Sequence, residues 1–400
     1  MPLQLQILDD KRFTCHSCGN CCRHWHVQLL PDEIDRISQL RWPAGDPLGG
    51  QIINIVHSGQ IFLKHQDNGD CVFLNPDNGY CRIHEQFGES AKPVGCQLFP
   101  FSMHRTFGNK VSILPRHDCP SVRQNKGDRY KANQLGQLAD IVLDDAQPFS
   151  DQQRCELSED QIQALVDFLT TLLPSLPTPT HKAMFLYGFC DWLSHQEVSE
   201  LNREALGNLY QPLVKHVEQW ITDTDASKLR KVDRFGLANL LSQYLRRDED
   251  VLDKRVGRLK RATCILFFGS GIASVNTLGT MYPANSGKSG KMFDTTHNDK
   301  LDFFALDQFI KTRIQTFGFM GEANHDLDLL DGLRSLCLLY PLVIATARLF
   351  THTDNPMDIA IGAVDHAFGR SQVLRSTATN RLARQLLDPD TFARLMVKIV

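Results

Sequence analysis

The sequence predicts a mainly α chain in two parts, a small irregular α+β cysteine-rich domain followed by an all-α helical domain. Three observations predict this. Eight of the twelve cysteines fall within the first 119 residues, and the other four are spread singly over the rest of the chain. From about Gln134 onward apolar residues recur at helical spacing and alternating strand patterns are nearly absent. Before that point the chain shows short runs broken by turn words. The expected division is a cysteine-rich domain over 1–128 and a helical domain over 129–400.

The elements follow in order. "LLPDEIDRISQL" carries Ile34, Ile37 and Leu40 at helical spacing, with Pro31 and an Asp at its start. "QIFLKHQDNGDCVFL" reads as two short strands joined at Asp67-Asn68-Gly69. Asn75–Tyr80 is a second turn. "CRIHEQFG" predicts one or two helical turns closed by Gly88, and "NKVSIL" another strand. A domain this poor in long elements gains from a metal staple, because its own core is small. In the second part, Ser158 and Gln161 form a capping box ahead of Ile162, Leu165, Val166 and Leu169. Further helical stretches cover roughly Lys182–Ser194, Arg203–Ile221, Lys228–Arg246, Leu301–Phe317, Leu327–Phe350, Met357–Phe368 and Asn380–Ile399. The polar, glycine-rich stretch Gly269–Lys291 is expected to be a long loop or lid.

Composition narrows the function. Apolar residues make up 42%, enough to bury a core, and the formal net charge of −3 gives no basic excess for nucleic acid. The opening "MPLQLQILDDKRF" has neither the charge pattern nor the apolar stretch of a signal peptide. The longest apolar run, Leu336–Ala347, contains Pro341 and is too short for a membrane span of ~20 residues, so a buried helix is expected. A cytoplasmic protein is the expectation. In that compartment thiols stay reduced, and clustered cysteines point to metal or catalysis before disulfides.

The thiols of "FTCHSCGNCCRHWH" are Cys15, Cys18, Cys21 and Cys22. Cys15, Cys18 and Cys21 form C-x2-C-x2-C, the start of a bacterial ferredoxin run, and Cys119-Pro120 supplies a remote Cys-Pro. Adjacent side chains diverge in regular structure, so Cys21 and Cys22 are expected to serve different centres. Four thiolates suit either zinc or an iron–sulfur cluster, and eight suit two such sites or one cluster with spare ligands. One partition groups Cys15, Cys18 and Cys21 with Cys119, and Cys22 with Cys71, Cys81 and Cys96. Cys155, Cys190, Cys264 and Cys337 read as single buried hydrophobes. His16, His24, His26, His84 and His117 lie near the cysteines in sequence as further candidate ligands or supporting groups.

The order F-x-C-x2-C-x2-CC, then "GDCVFLNPDNGYCRIHE", "KPVGCQLFPF" and "HDCP", resembles the cysteine-cluster family of zinc- or iron-chelating domains over about Phe13–Pro120. Flagellin lysine N-methylases are similar to that family. The resemblance implies that Cys15, Cys18, Cys21, Cys22, Cys71, Cys81, Cys96 and Cys119 are all metal ligands. It implies a zinc ion or an iron–sulfur cluster of the 4Fe-4S kind as cofactor. It further implies S-adenosylmethionine and a polypeptide such as flagellin as the partners of a protein-lysine methylase. Two departures stand out: Gln97 replaces the family's common Arg, and the gaps before the double cysteine are shorter than in the flagellin enzymes.

The residues themselves give no second support for methyl transfer. "CILFFGSGIAS" offers Gly269 and Gly271, but Ser274 stands at the third glycine position and no βα repeat surrounds it. A radical S-adenosylmethionine spacing fails at Trp25. "NSGKSGK" lacks the glycine a phosphate loop needs, Tyr282 standing there. Lys228, Arg230, Lys231, Arg255, Arg258, Lys260 and Arg261 read as a solvated face, with an anionic partner surface as the alternative. Asp144/Asp145 and Asp248/Glu249/Asp250 read as solvated loop charges. Three readings stand: a metalloprotein with a helical body, a methylase-like enzyme, and a zinc-folded scaffold that binds a partner.

Overall fold

The structure, a computed structural model, describes residues 3–23, 25, 27–44, 46, 48, 53–57, 60–129, 132–143, 145–245, 255–278 and 286–400, with backbone alone at 57, 132–134 and 255–261. His24, His26, Tyr282, Asp144 and the Asp248–Asp250 run therefore lie outside the described residues.

Short elements make up the N-terminal part. In chain order they are β1 (Gln4–Gln6), β2 (Arg12–Phe13), α1 (Pro31–Ser38), β3 (Asn54–His57), β4 (Gln60–Leu63), α2 (Arg82–Phe87), α3 (Val94–Leu98), β5 (Phe101–Arg105), β6 (Lys110–Pro115), α4 (Pro120–Arg123) and β7 (Asp128–Arg129). β6 is the centre of a three-stranded sheet, parallel to β1 and antiparallel to β5. β2 pairs antiparallel with β7, and β3 with β4. The expected strand after Gly69 does not form. Cys71–Leu74 is instead a turn, with the Leu74 N–H donating to Cys71 O, and β3 takes the place beside β4. The reason is local: Cys71 N–H donates to Cys22 O at 2.7 Å, so pairing across the Asp67–Gly69 turn is reduced to the His65–Cys71 bridge and the Val72 N–H bond to Lys64 O at 3.1 Å.

The body consists of α5 (Ala132–Val142), α6 (Glu159–Leu172), α7 (Pro179–Leu193), α8 (Arg203–Asp223), α9 (Lys231–Leu245), α10 (Arg255–Gly269), α11 (Phe303–Gln315), α12 (Leu329–Arg348), α13 (Pro356–Ala367), α14 (Thr377–Leu386) and α15 (Pro389–Ile399). Mainly helical architecture with a small α+β front is therefore what forms. The capping box is present: Ser158 Oγ accepts from Gln161 N–H, and Gln161 Oε1 accepts from Ser158 N–H at 2.9 Å. The single helix expected over Asn380–Ile399 is two, because Pro389 cannot continue α14 and Asp388 caps α15 afresh. α10, unmarked by apolar spacing, is an added helix.

α12 is the hub. Residues Leu336–Ala347 are buried throughout, as the apolar run implies. It is the one helix among the described residues long and apolar enough to cross a membrane, and 78% of its apolar window is buried inside the protein. Cys190 of α7 and Cys337 of α12 are both buried and free, and their thiols share a hydrogen bond. They are core hydrophobes as expected, but as a pair.

Three apolar cores stack in sequence order. One joins Val27, Leu29, Ile37, Leu63, Phe73 and Ile83 behind the cysteines. A second packs α5, through Leu135, Ala139 and Leu143, onto Phe101, Met103, Val111 and Ile113 of the sheet. The third is the helical body, and Phe107 from the β5–β6 turn enters it against Phe149 and Phe317. Ser112 Oγ on β6 also donates to Thr316 O at 2.8 Å. The sheet thus bridges the cysteine-bearing loops and the helices.

Candidate metal centre

Five chain segments bring the thiols together. Ser17 and Gly19 adopt left-handed backbone, φ 55° and 66°, which turns the chain into a single 3-10 turn at Asn20–Cys22. Gly79 (φ 74°) lies directly over this bend; a Cβ there would meet Ser17 O at 2.1 Å. That contact needs both the absent side chain and the left-handed backbone. Cys71 is held to Cys22 by the backbone bond described above. Cys81 and Cys119 sit at the N-caps of α2 and α4. Cys96 lies on α3, whose position is set by α1: Glu33 accepts from Val94 N–H, and Arg36 donates to Ala91 O and Lys92 O at 2.6 and 3.0 Å. Gln97 donates to Lys92 O at 2.6 Å. The neutral amide thus holds the backbone of the cavity's lysine.

All eight N-terminal cysteines line one cavity of about 110 Å3. Cys15 and Cys18 are exposed at its edge, Cys119 is buried, and the other five are intermediate. Cys155, Cys190, Cys264 and Cys337 are not among its lining. His16 and His84 reach the lining. His16 Nδ1 lies 2.9 Å from Ser121 Oγ. His117 does not reach it; its ring packs against Phe309 at the boundary with the helices.

The cavity is hostile to bare thiolates. Burial pushes the Cys71 thiol up to about 12 and the Cys119 thiol to about 11, and it raises Cys15, Cys81 and Cys96 too. Cys21 is raised by the Cys22 thiol, 3.8 Å from its sulfur, and by burial. Among the described lining residues Lys92 is the sole lysine or arginine, and it acts in the opposite sense on Cys15, Cys21, Cys81 and Cys96. One ammonium cannot balance eight thiolates; a multivalent cation can. The backbone is already arranged for sulfur anions. The N–H groups of Ser17, Phe73, Ile83 with His84, and Ser121 with Val122 favour the thiolates of Cys15, Cys71, Cys81 and Cys119 respectively. The donor set therefore fits a thiolate-bound metal.

One expectation about the adjacent cysteines changes. Cys21 and Cys22 do not point to separate places: within the 3-10 turn their sulfurs are 3.8 Å apart. The thiols close enough to Cys21 to be raised by it are Cys15, Cys71, Cys81 and Cys96, whereas Cys119 is influenced by Cys18. Among the described residues no three His, Cys, Asp or Glu side chains converge tightly on a single ion position.

Residues 14–120 match a family model. It is the CxxCxxCC family, described as a "putative zinc- or iron-chelating domain". The chain is also similar to an uncharacterised protein of Methanocaldococcus jannaschii, 28% identical over 142 residues, which is 34% of this chain and 47% of that protein. The chain thus spans about half the length of the curated relative it matches. No solved structure matches. Neither match names a methylase or flagellin. Gly269 ends α10, and Gly271 (φ 88°) turns the chain away from a helix, not from a strand into one, so the CxxCxxCC region is not joined to a dinucleotide-type glycine turn here.

The CxxCxxCC region is clamped to the helices by charges that sequence reasoning did not pick out. Asp365 of α13 is fully buried with Arg313 of α11. Its Oδ2 accepts the backbone N–H groups of His117 and Asp118 at 2.7 and 3.2 Å, immediately before Cys119. Burial pushes the Asp365 carboxyl up, but Arg313 and Arg370 outweigh it and hold its pKa at about 2. Asp118 binds Arg116 and lies 3.1 Å from His366 Nδ1. The Arg116 guanidinium covers the rings of Trp25 and Phe99 at 5.2 and 5.0 Å. Asn20 Nδ2 donates to Asp118 O at 3.3 Å, which closes the loop back to the Cys21 turn. The charged word "RHDCP" is the signal; its partners lie too far along the chain to be paired by inspection.

Proposed function

We propose that this chain is an iron–sulfur protein whose N-terminal cysteines hold a 4Fe-4S-type cluster. The observation that carries the reading is that all eight cysteines line one cavity while no three of them converge on a single-ion position. A zinc ion with sulfurs at about 2.3 Å in a tetrahedron sets neighbouring sulfurs about 3.8 Å apart. The Cys21 and Cys22 sulfurs, neighbours in one turn, are 3.8 Å apart. A multi-iron core holds its ligands further apart and occupies a cavity larger than one ion, which suits about 110 Å3.

Cys21, Cys71, Cys81 and Cys96 are the proposed principal ligands, with Cys15, Cys18, Cys22 and Cys119 completing the site or exchanging into it. When bound, a cluster supplies one-electron redox capacity. The chain's own residues bury the sulfurs, aim backbone N–H groups at them and offset part of the charge through Lys92. The proposal carries the cytoplasmic expectation with it, because free thiols and clusters persist in reducing compartments.

Anaerobic purification followed by iron, acid-labile sulfide and zinc analysis tests the reading. Iron and sulfide in near-equal amounts, with visible absorption that bleaches on reduction, is the expected result. Stoichiometric zinc without sulfide would replace the cluster with a structural zinc site.

A further inference from the structure

The helical body carries an apolar tip that the metal site does not use. Val232, Leu266, Phe267 and Ile272 are 53%, 60%, 51% and 59% exposed. Singly exposed apolar residues are ordinary; several on one tip are informative. Four contacts place the segments that carry these residues at one end of the body. Gly269 at the end of α10 packs against the Phe235 ring, one turn from Val232 on α9. Arg234 lies over Phe293 at 5.3 Å. Gly290 N–H donates to Gly271 O at 2.9 Å and Ser289 N–H to Ala273 O at 2.8 Å. The tip is therefore a built structure of two helix ends and a paired turn.

Its surroundings are basic. Lys231, Lys288 and Lys291 are exposed on the same three segments. Among acidic neighbours, Asp233 is buried in a pair with Arg230, and Asp294 is exposed and bonded to Thr296. Bulky apolar side chains on segments that also carry three exposed lysines suit the boundary between anionic headgroups and acyl chains. A protein partner is disfavoured by size: four half-exposed side chains fall well short of the ~800 Å2 per partner that a stable interface buries.

We propose that this tip docks the protein peripherally on an anionic lipid surface, with Leu266, Phe267 and Ile272 entering the headgroup region. The proposal is independent of which metal the cysteines hold.

Flotation of the metal-loaded full chain with vesicles tests it. Vesicles of phosphatidylcholine with one-third phosphatidylglycerol are expected to bind at least about tenfold more protein than phosphatidylcholine alone, and high salt to reverse this. Joint Leu266→Glu and Phe267→Glu substitution is expected to lower binding about tenfold or more. Phe267→Trp, which keeps an aromatic side chain there, is expected to bind normally and shift its emission to the blue on vesicles. Absence of binding to anionic vesicles overturns the proposal. So does binding that the double glutamate variant retains, or an unshifted tryptophan in a variant that floats.

Discussion

Replacing Asp365 tests how the helical body grips the cysteine region. The carboxylate and Arg313 are both fully buried, and the same carboxylate accepts the N–H groups of His117 and Asp118. Truncation to alanine leaves the Arg313 charge uncompensated, which costs about 3–5 kcal/mol, and orphans two buried N–H donors at about 1–3 kcal/mol each. These effects share atoms and do not add, so a loss of about 4–5 kcal/mol is expected for Asp365→Ala. Asp365→Asn keeps the shape but not the charge. The fall in the carboxyl pKa from 3.8 to about 2 corresponds to about 2 kcal/mol, which sets the scale for that variant. Because the folded-state pKa is depressed, this contribution is complete above about pH 4 and is lost as pH falls toward 2. Urea melts of the metal-loaded protein, with the Arg313→Met partner variant closing a double-mutant cycle, measure it. A loss below about 1 kcal/mol for the alanine variant, or single losses that simply add in the double variant, would refute the reasoning.

Other outcomes follow from the cavity. Cys21→Ser, Cys71→Ser, Cys81→Ser and Cys96→Ser are each expected to abolish most metal binding, while Cys155→Ser and Cys264→Ser leave it intact, as read by metal analysis. Lys92→Met removes the cation that favours four of the thiolates, so the pH midpoint of metal uptake is expected to rise by about 1 unit. Gly79→Ala forces a Cβ onto Ser17 O in a left-handed backbone, and a loss of at least about 2 kcal/mol together with metal release is expected in melts and metal assays.

What was legible in the sequence was what is local. The cysteine words, the capping box at Ser158 and the buried run through Pro341 announce themselves within a dozen residues. The aim of Cys21 and Cys22 was not legible. Regular structure would separate adjacent side chains, and the left-handed Gly19 with its 3-10 turn brings them together. The turn at Cys71 was missed because β propensity yielded to a bond with Cys22, far back in the chain. α10 was missed because its basic first half and apolar second half give no single helical stripe. The Asp365 clamp joins groups 248 residues apart, a pairing that no window along the chain contains.

That same span bears on how the protein is made. The first four cysteines emerge from the ribosome long before the carboxylate that fixes the backbone ahead of Cys119. At about 5–20 residues per second, the 248 residues between His117 and Asp365 take ~12–50 s to synthesise. During that interval the thiols are displayed on an unclamped nascent chain, open to oxidants and to adventitious ions. Stable seating of the segment before Cys119 therefore waits until translation has passed Asp365.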